Sequence, residues 1–108
     1  MKIKISRKDF INDILDDMEY ACSYWARGVR KGDTWDIWDM EIPDETYVVD
    51  AEVIEKGIEA AKSFEYKLNE DLKKDIFMAD NNNESVYLDA VTVDVIVQAG
   101  IFGETVYG

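Results

Sequence analysis

Hydrophobic and polar positions change period several times along the chain, and each change predicts an element. Lys2 to Ile5 alternates base and aliphatic, the period of a short strand with Ile3 and Ile5 on its covered face. From Ser6 onward the step lengthens. Phe10, Ile14, Met18, Ala21 or Cys22, and Trp25 recur at three- and four-residue intervals, laying one apolar stripe along a helix whose other side carries Asp9, Asp13, Asp16 and Asp17. Ser6 stands three residues ahead of Asp9 and can satisfy free amides at the helix start. The helix is expected to end near Gly28, before a Gly32-Asp33 turn.

Thr34 to Ile42, rich in Trp and Ile, reads as a strand, Pro43-Asp44-Glu45 as a hairpin turn, and Thr46 to Val49 as the returning strand. On the first of these, Trp38, Met40 and Ile42 share one face, and Trp35, Ile37, Asp39 and Glu41 the other. Asp50 is placed to cap a second helix with Ile54, Ile58, Ala61 and Leu68 or Phe64 inward and Glu52, Glu55 and Glu59 outward. Gly57 weakens that helix without forbidding it. Glu70 to Ala79 either continues it or forms a separate turn, and Asp80 to Glu84 is a loop. In the last segment Val91, Val93, Val95 and Val97 alternate as a strand would. Leu88-Asp89 nevertheless supplies a staple and cap, and Gly103 sits where a helix C-terminal glycine belongs, so a helix is expected.

The resulting fold class is α+β: a single small domain over 1–108, with a short antiparallel sheet covered on one face by two or three helices. A length of 108 residues suits one domain, and 47% hydrophobic residues supply enough apolar material to fold it. A solitary cysteine, Cys22, excludes a disulfide framework within the chain, and neither a secretory leader nor a membrane span is expected. A cytoplasmic location follows as the expectation.

Charge changes the picture most. Lys and Arg number 12 against 24 Asp and Glu, a formal net charge of -12. No base lies between Lys31 and Lys56, where nine carboxylates occur, and none after Lys74, where six more follow. Such a chain should repel nucleic acid and anionic membranes and attract basic partners. On a strand, alternate side chains lie ~6.6 Å apart, and helix positions three or four apart lie ~5–6 Å apart, close to the spacing of successive phosphates. Asp39 with Glu41, Asp9 with Asp13 and Asp16 or Asp17, and Glu52 with Glu55 and Glu59 therefore form candidate phosphate-like rows. The leading contact set is Asp33, Trp35, Asp36, Asp39, Glu41, Asp44, Glu45, Glu52 and Glu55. The expected reading is that both Trp35 and Trp38 pack against the helices; alternatively one is core and the other, exposed beside carboxylates, an interface anchor.

Candidate chemistry narrows from here. With no His, the Ser-His-Asp and Cys-His constellations are absent, and a single cysteine cannot assemble a zinc site. No catalytic residue, metal ligand or cofactor is expected. Asp80, Asn82 and Glu84 begin like a calcium loop, but Ser85 replaces the glycine and Val91 the bidentate Glu. Pro43-Asp44 followed by Glu65-Tyr66-Lys67 imitates a metal-dependent nuclease, yet the second element falls in a helical pattern, where residues two apart diverge. A nuclease-like enzyme is the remoter alternative, after an accessory or assembly protein whose acidity serves only solubility.

Tyr24-Trp25 late in the first helix, the Glu55 to Ala60 region around Gly57, and the ending Phe102-Gly103-Glu104-Thr105-Val106-Tyr107-Gly108 resemble small acidic phage and prophage proteins of uncharacterised function. The resemblance runs over roughly the whole length, with the F-G-E-x-V-Y-G ending its most specific part. It implies phage provenance, and with it an inhibitor of bacterial defence such as an anti-CRISPR protein. The expected partner is a basic, nucleic-acid-binding host effector, engaged without direct contact to nucleic acid or membrane.

Overall fold

The computed structural model describes residues 5–63 and 66–107. Their order is α1 (Arg7–Ala21), β1 (Ala26–Lys31), β2 (Thr34–Asp39), β3 (Thr46–Val49), α2 (Ala51–Lys62), α3 (Glu70–Asn82), a 3₁₀ turn (Ser85–Tyr87) and α4 (Ala90–Phe102). This is one small α+β domain with a three-stranded antiparallel sheet, β2 central. Of the strand expected over 2–5, only Ile5 is described, and it lies outside the sheet. Phe64, Glu65 and Gly108 lie outside the described residues.

Ser6 caps α1 by accepting the Asp9 amide at 3.1 Å, and Phe10, Ile14, Met18 and Ala21 are buried along the expected stripe. The helix stops at Ala21, however, well short of Gly28. Ser23 turns its hydroxyl onto the Tyr20 carbonyl at 2.8 Å, the Trp25 and Ala26 amides bond the Cys22 carbonyl, and the backbone enters β1. Gly28 is a strand residue opposite Ile37, where a Cβ would come within 2.7 Å of the Ile37 side chain. Trp25 continues the apolar spacing because it packs in the same core from a different element.

Gly32, at a φ of 63°, turns β1 into β2. The covered face of β2 consists of Trp35, Ile37 and Asp39, with Val49 of β3 paired opposite Trp35. Trp35 is thus the core tryptophan, its indole N–H donating to the Leu15 carbonyl at 2.9 Å, and Trp38 is half-buried on the other face.

Asp50 caps α2 through the Val53 amide at 3.0 Å, and Ile54, Ile58 and Ala61 point inward as their spacing predicts. Glu70 to Asn82 is a separate helix capped by Asn69. It absorbs Asp80 to Asn82 from the expected loop because Asn83 takes the left-handed conformation only one turn later. α4 begins with a reciprocal Asp89–Thr92 capping box and ends at Gly103, φ 75°. Every residue from Thr92 to Gly100 is buried, so α4 is the axis of the core and its apolar residues run all the way round. Gly57 of α2 meets Gly100 of α4 at a backbone-to-backbone crossing: a Cβ on Gly57 would lie 2.0 Å from the Ile96 carbonyl oxygen, and one on Gly100 2.3 Å from that of Val53. Gly57 therefore costs helix propensity but permits the crossing. Among the described residues no helix is long and apolar enough to cross a membrane.

Candidate protein-binding surface

The densest polar cluster lies within the core. Asp94 and Gln98, one turn apart on α4, are buried among apolar neighbours, so each requires partners. Asp94 accepts from the Trp25 indole N–H at 2.8 Å, from Gln98 Nε2 at 3.0 Å and from the Tyr24 hydroxyl. Gln98 Oε1 accepts the Val106 and Tyr107 amides at 2.8 Å each, and Nε2 donates to the Tyr107 carbonyl at 3.0 Å. The segment after Gly103 is thereby strapped back along α4, and the Tyr107 ring stacks on Trp25 with centroids 5.1 Å apart. Burial and the Asp94 charge push the Cys22 thiol up, and burial with the Asp94 hydrogen bond does the same to the Tyr24 phenol. Both stay protonated. Among the described residues no buried side-chain polar atom lacks a partner, and the cluster's chemistry is that of a clasp.

This clasp joins Tyr24 and Trp25, after α1, to Phe102 and Tyr107 at the far end of α4. It also passes to the sheet, since the Tyr107 hydroxyl donates to Asp39. Its sequence signal is a pair of polar residues at i and i+4, Asp94 and Gln98, inside a helix whose only other polar residue is Thr92 at its capping box, Ala90-Val91-Thr92-Val93-Asp94-Val95-Ile96-Val97-Gln98.

The expected acidic contact set does not form one patch. Trp35 is in the core, and Asp39 is 2% exposed, accepting from Tyr107 and from the Glu41 amide at 2.8 Å. The Tyr107 hydrogen bond holds the Asp39 carboxyl below the usual range. Both are removed from the accessible surface, because period two places them with Ile37 on the covered face. Asp36 pairs with Lys31 at 3.1 Å and Glu55 with Arg7 at 2.7 Å, which neutralises two more. Asp33 is exposed at the β1–β2 turn, and Glu52 is exposed in the first turn of α2, at the same end of the sheet. Glu41, Asp44 and Glu45 are exposed at the opposite end, about 17 Å away along β2. There they share the β2–β3 turn with exposed Met40 and Ile42, and Glu45 accepts from the Tyr47 hydroxyl at 2.7 Å.

Other carboxylates serve internal ends. Asp80, first in the calcium-like run, lies between Lys62 and Arg7 at 2.5 Å from each; burial opposes its charge, but these hydrogen bonds outweigh that and lower its pKa. On α1, Asp16 pairs with Arg30 and Asp13 accepts from Ser85 at 3.0 Å. Asp17 is pushed up by partial burial and by the neighbouring charges of Asp13 and Asp16.

Asp17 also borders a feature that the local pattern does not reveal. A depression of about 660 Å³ lies between the end of α1 and the start of α4, lined mainly by apolar groups of Tyr20, Ala21, Ala90, Val91 and Val95, with Leu68 and Leu72 also at its edge and Asp94, Thr105 and Tyr107 of the clasp within it. A second, of about 330 Å³, continues it past Tyr20 and Ala90 to Asp17, Leu88 and Asp89. Among the described residues no Lys or Arg lines either one. Compared with known proteins, the chain matches no family model, no curated protein and no solved structure.

Proposed function

We propose that the protein is a stoichiometric inhibitor of a basic, nucleic-acid-binding bacterial defence effector, acting in the cytoplasm of an infected cell by occupying the effector's groove with carboxylates. The observation that carries this reading is the β2–β3 turn, where Glu41, Asp44 and Glu45 stand exposed beside Met40 and Ile42 in a stretch without any base. Exposed carboxylates gathered in one turn, with apolar side chains among them, suit a cleft lined by Arg and Lys. Net charge of -12 supplies the long-range attraction, which weakens as salt rises. The contact region centres on this turn, with Asp33 and Glu52 at the far end of the sheet as secondary points.

The test is displacement of labelled guide RNA or duplex DNA from candidate effectors, measured by fluorescence polarisation from about 0.05 to 0.5 M salt. Equimolar displacement that fades with salt is expected, and Glu41→Lys, Asp44→Lys and Glu45→Lys together should relieve it while circular dichroism stays unchanged. Displacement that survives the triple substitution would sink the mimicry mechanism. Association indifferent to salt would instead favour an accessory or assembly role.

A further inference from the structure

The trough between α1 and α4 presents a second surface, independent of the β2–β3 turn. Tyr20 is 79% and Val91 55% exposed, an expense of apolar area that a folded monomer normally avoids in contiguous form. Their positions are set by two neighbouring helices, and the lining between them is mainly apolar, with Asp94 among it. A trough set between two helices, with a mainly apolar lining, suits the apolar face of a further helix. Asp17 and Asp89 stand at its continuation, and Asp17 is already raised by burial and by crowding from Asp13 and Asp16, so a cation brought there relieves repulsion.

We propose that this trough seats an amphipathic, basic helix of a partner protein, with the helix's apolar face on Tyr20, Val91 and Val95 and its lysines or arginines against Asp17 and Asp89. Charge selects this occupant over a second copy of the chain. Two copies carry -12 each, and a self-contact would add carboxylates to a rim that holds no base among the described residues. The inference goes beyond the inhibitor reading, since a partner that never meets nucleic acid would fit equally.

The probe is a synthetic peptide of about 14 residues, ~21 Å long as a helix, with leucines on one face and lysines on the other. Titrated into the intact protein at ~0.15 M salt and followed by amide NMR, it should bind saturably, with shifts centred on Tyr20, Val91 and Val95. Val91→Arg and, separately, Tyr20→Ala should each weaken it about tenfold, the effect of removing one apolar anchor. Both positions face solvent, so the fold should survive. The triple lysine substitution in the β2–β3 turn should leave peptide binding unchanged, which separates this surface from the inhibitor reading. The proposal is overturned if a scrambled peptide of the same composition binds as well, if a Leu/Glu peptide binds as well, or if neither variant weakens binding. Dimerisation of the protein that the peptide competes away would assign the trough to a second copy and overturn it too.

Discussion

The hydroxyl of Tyr107 donates a hydrogen bond to the carboxylate of Asp39, joining the segment after α4 to the end of the central strand across 68 positions of sequence. Each partner shifts the other in the direction that keeps the bond: Asp39 is lowered, and the Tyr107 phenol is pushed up to about 12.

The bond makes stability depend on pH at both extremes. A lowered carboxyl stabilises the fold above the ordinary carboxylate range, and that contribution is lost as pH falls through the folded value. A raised phenol stabilises it below the ordinary range near 10, and the contribution is lost as pH rises through about 12. Tyr107→Phe should therefore lower stability across the neutral plateau and flatten the acid limb. The base limb should shrink without vanishing, because Glu45 likewise pushes the Tyr47 phenol up to about 12. Urea unfolding from about pH 2 to 12 measures both limbs, and an NMR titration should show Asp39 returning towards the usual carboxylate value.

Gln98 holds three backbone groups of the strap and two oxygens of Asp94. Replacing it with leucine keeps the bulk and deletes the donors and acceptor. Gln98→Leu should cost about 2–3 kcal/mol, chiefly because buried Asp94 loses a donor. Hydrogen exchange distinguishes this from general loosening: the Val106 and Tyr107 amides should lose protection well before those of α2.

At the α2–α4 crossing a single methyl has nowhere to go. Gly57→Ala and Gly100→Ala should each destabilise by about 2–3 kcal/mol despite better helix propensity, because the obstructing atoms are backbone carbonyls and the helices must separate. Val53→Ala leaves the backbone oxygen in place and should not rescue Gly100→Ala. A gain in melting temperature for either glycine variant would mean that the helices do not cross this closely.

Termini of helices were the most legible features, since Ser6, Asp50, Asp89 and Gly103 each act through atoms within a few residues of themselves. β1 was not legible. Ala26 to Lys31 is an edge strand whose outward positions are Arg27, Val29 and Lys31, so no alternation marks it, and buried Trp25 extends the preceding helical spacing by accident of packing. Period two already grouped Asp39 with Trp35 and Ile37. The core packing of Trp35 and Ile37 decides which side is covered, and the Tyr107 donor that satisfies buried Asp39 is too distant to leave a trace in the local pattern. The number of carboxylates was likewise plain from composition, whereas their division between the two ends of β2 needed the strand register. Tyr20 and Val91 form a trough only because α1 and α4 lie side by side, a tertiary fact with no counterpart in either helix alone.

From Thr92 to Gly100 α4 is enclosed on all sides, and every earlier element packs around it or beside something that does. During synthesis, then, the sheet and the first two helices emerge without the piece they are built to surround. The nascent chain must wait, holding unsatisfied apolar faces, until residues near 100 have left the ribosome, and a premature stop before Asp89 would yield a product with nothing at its centre.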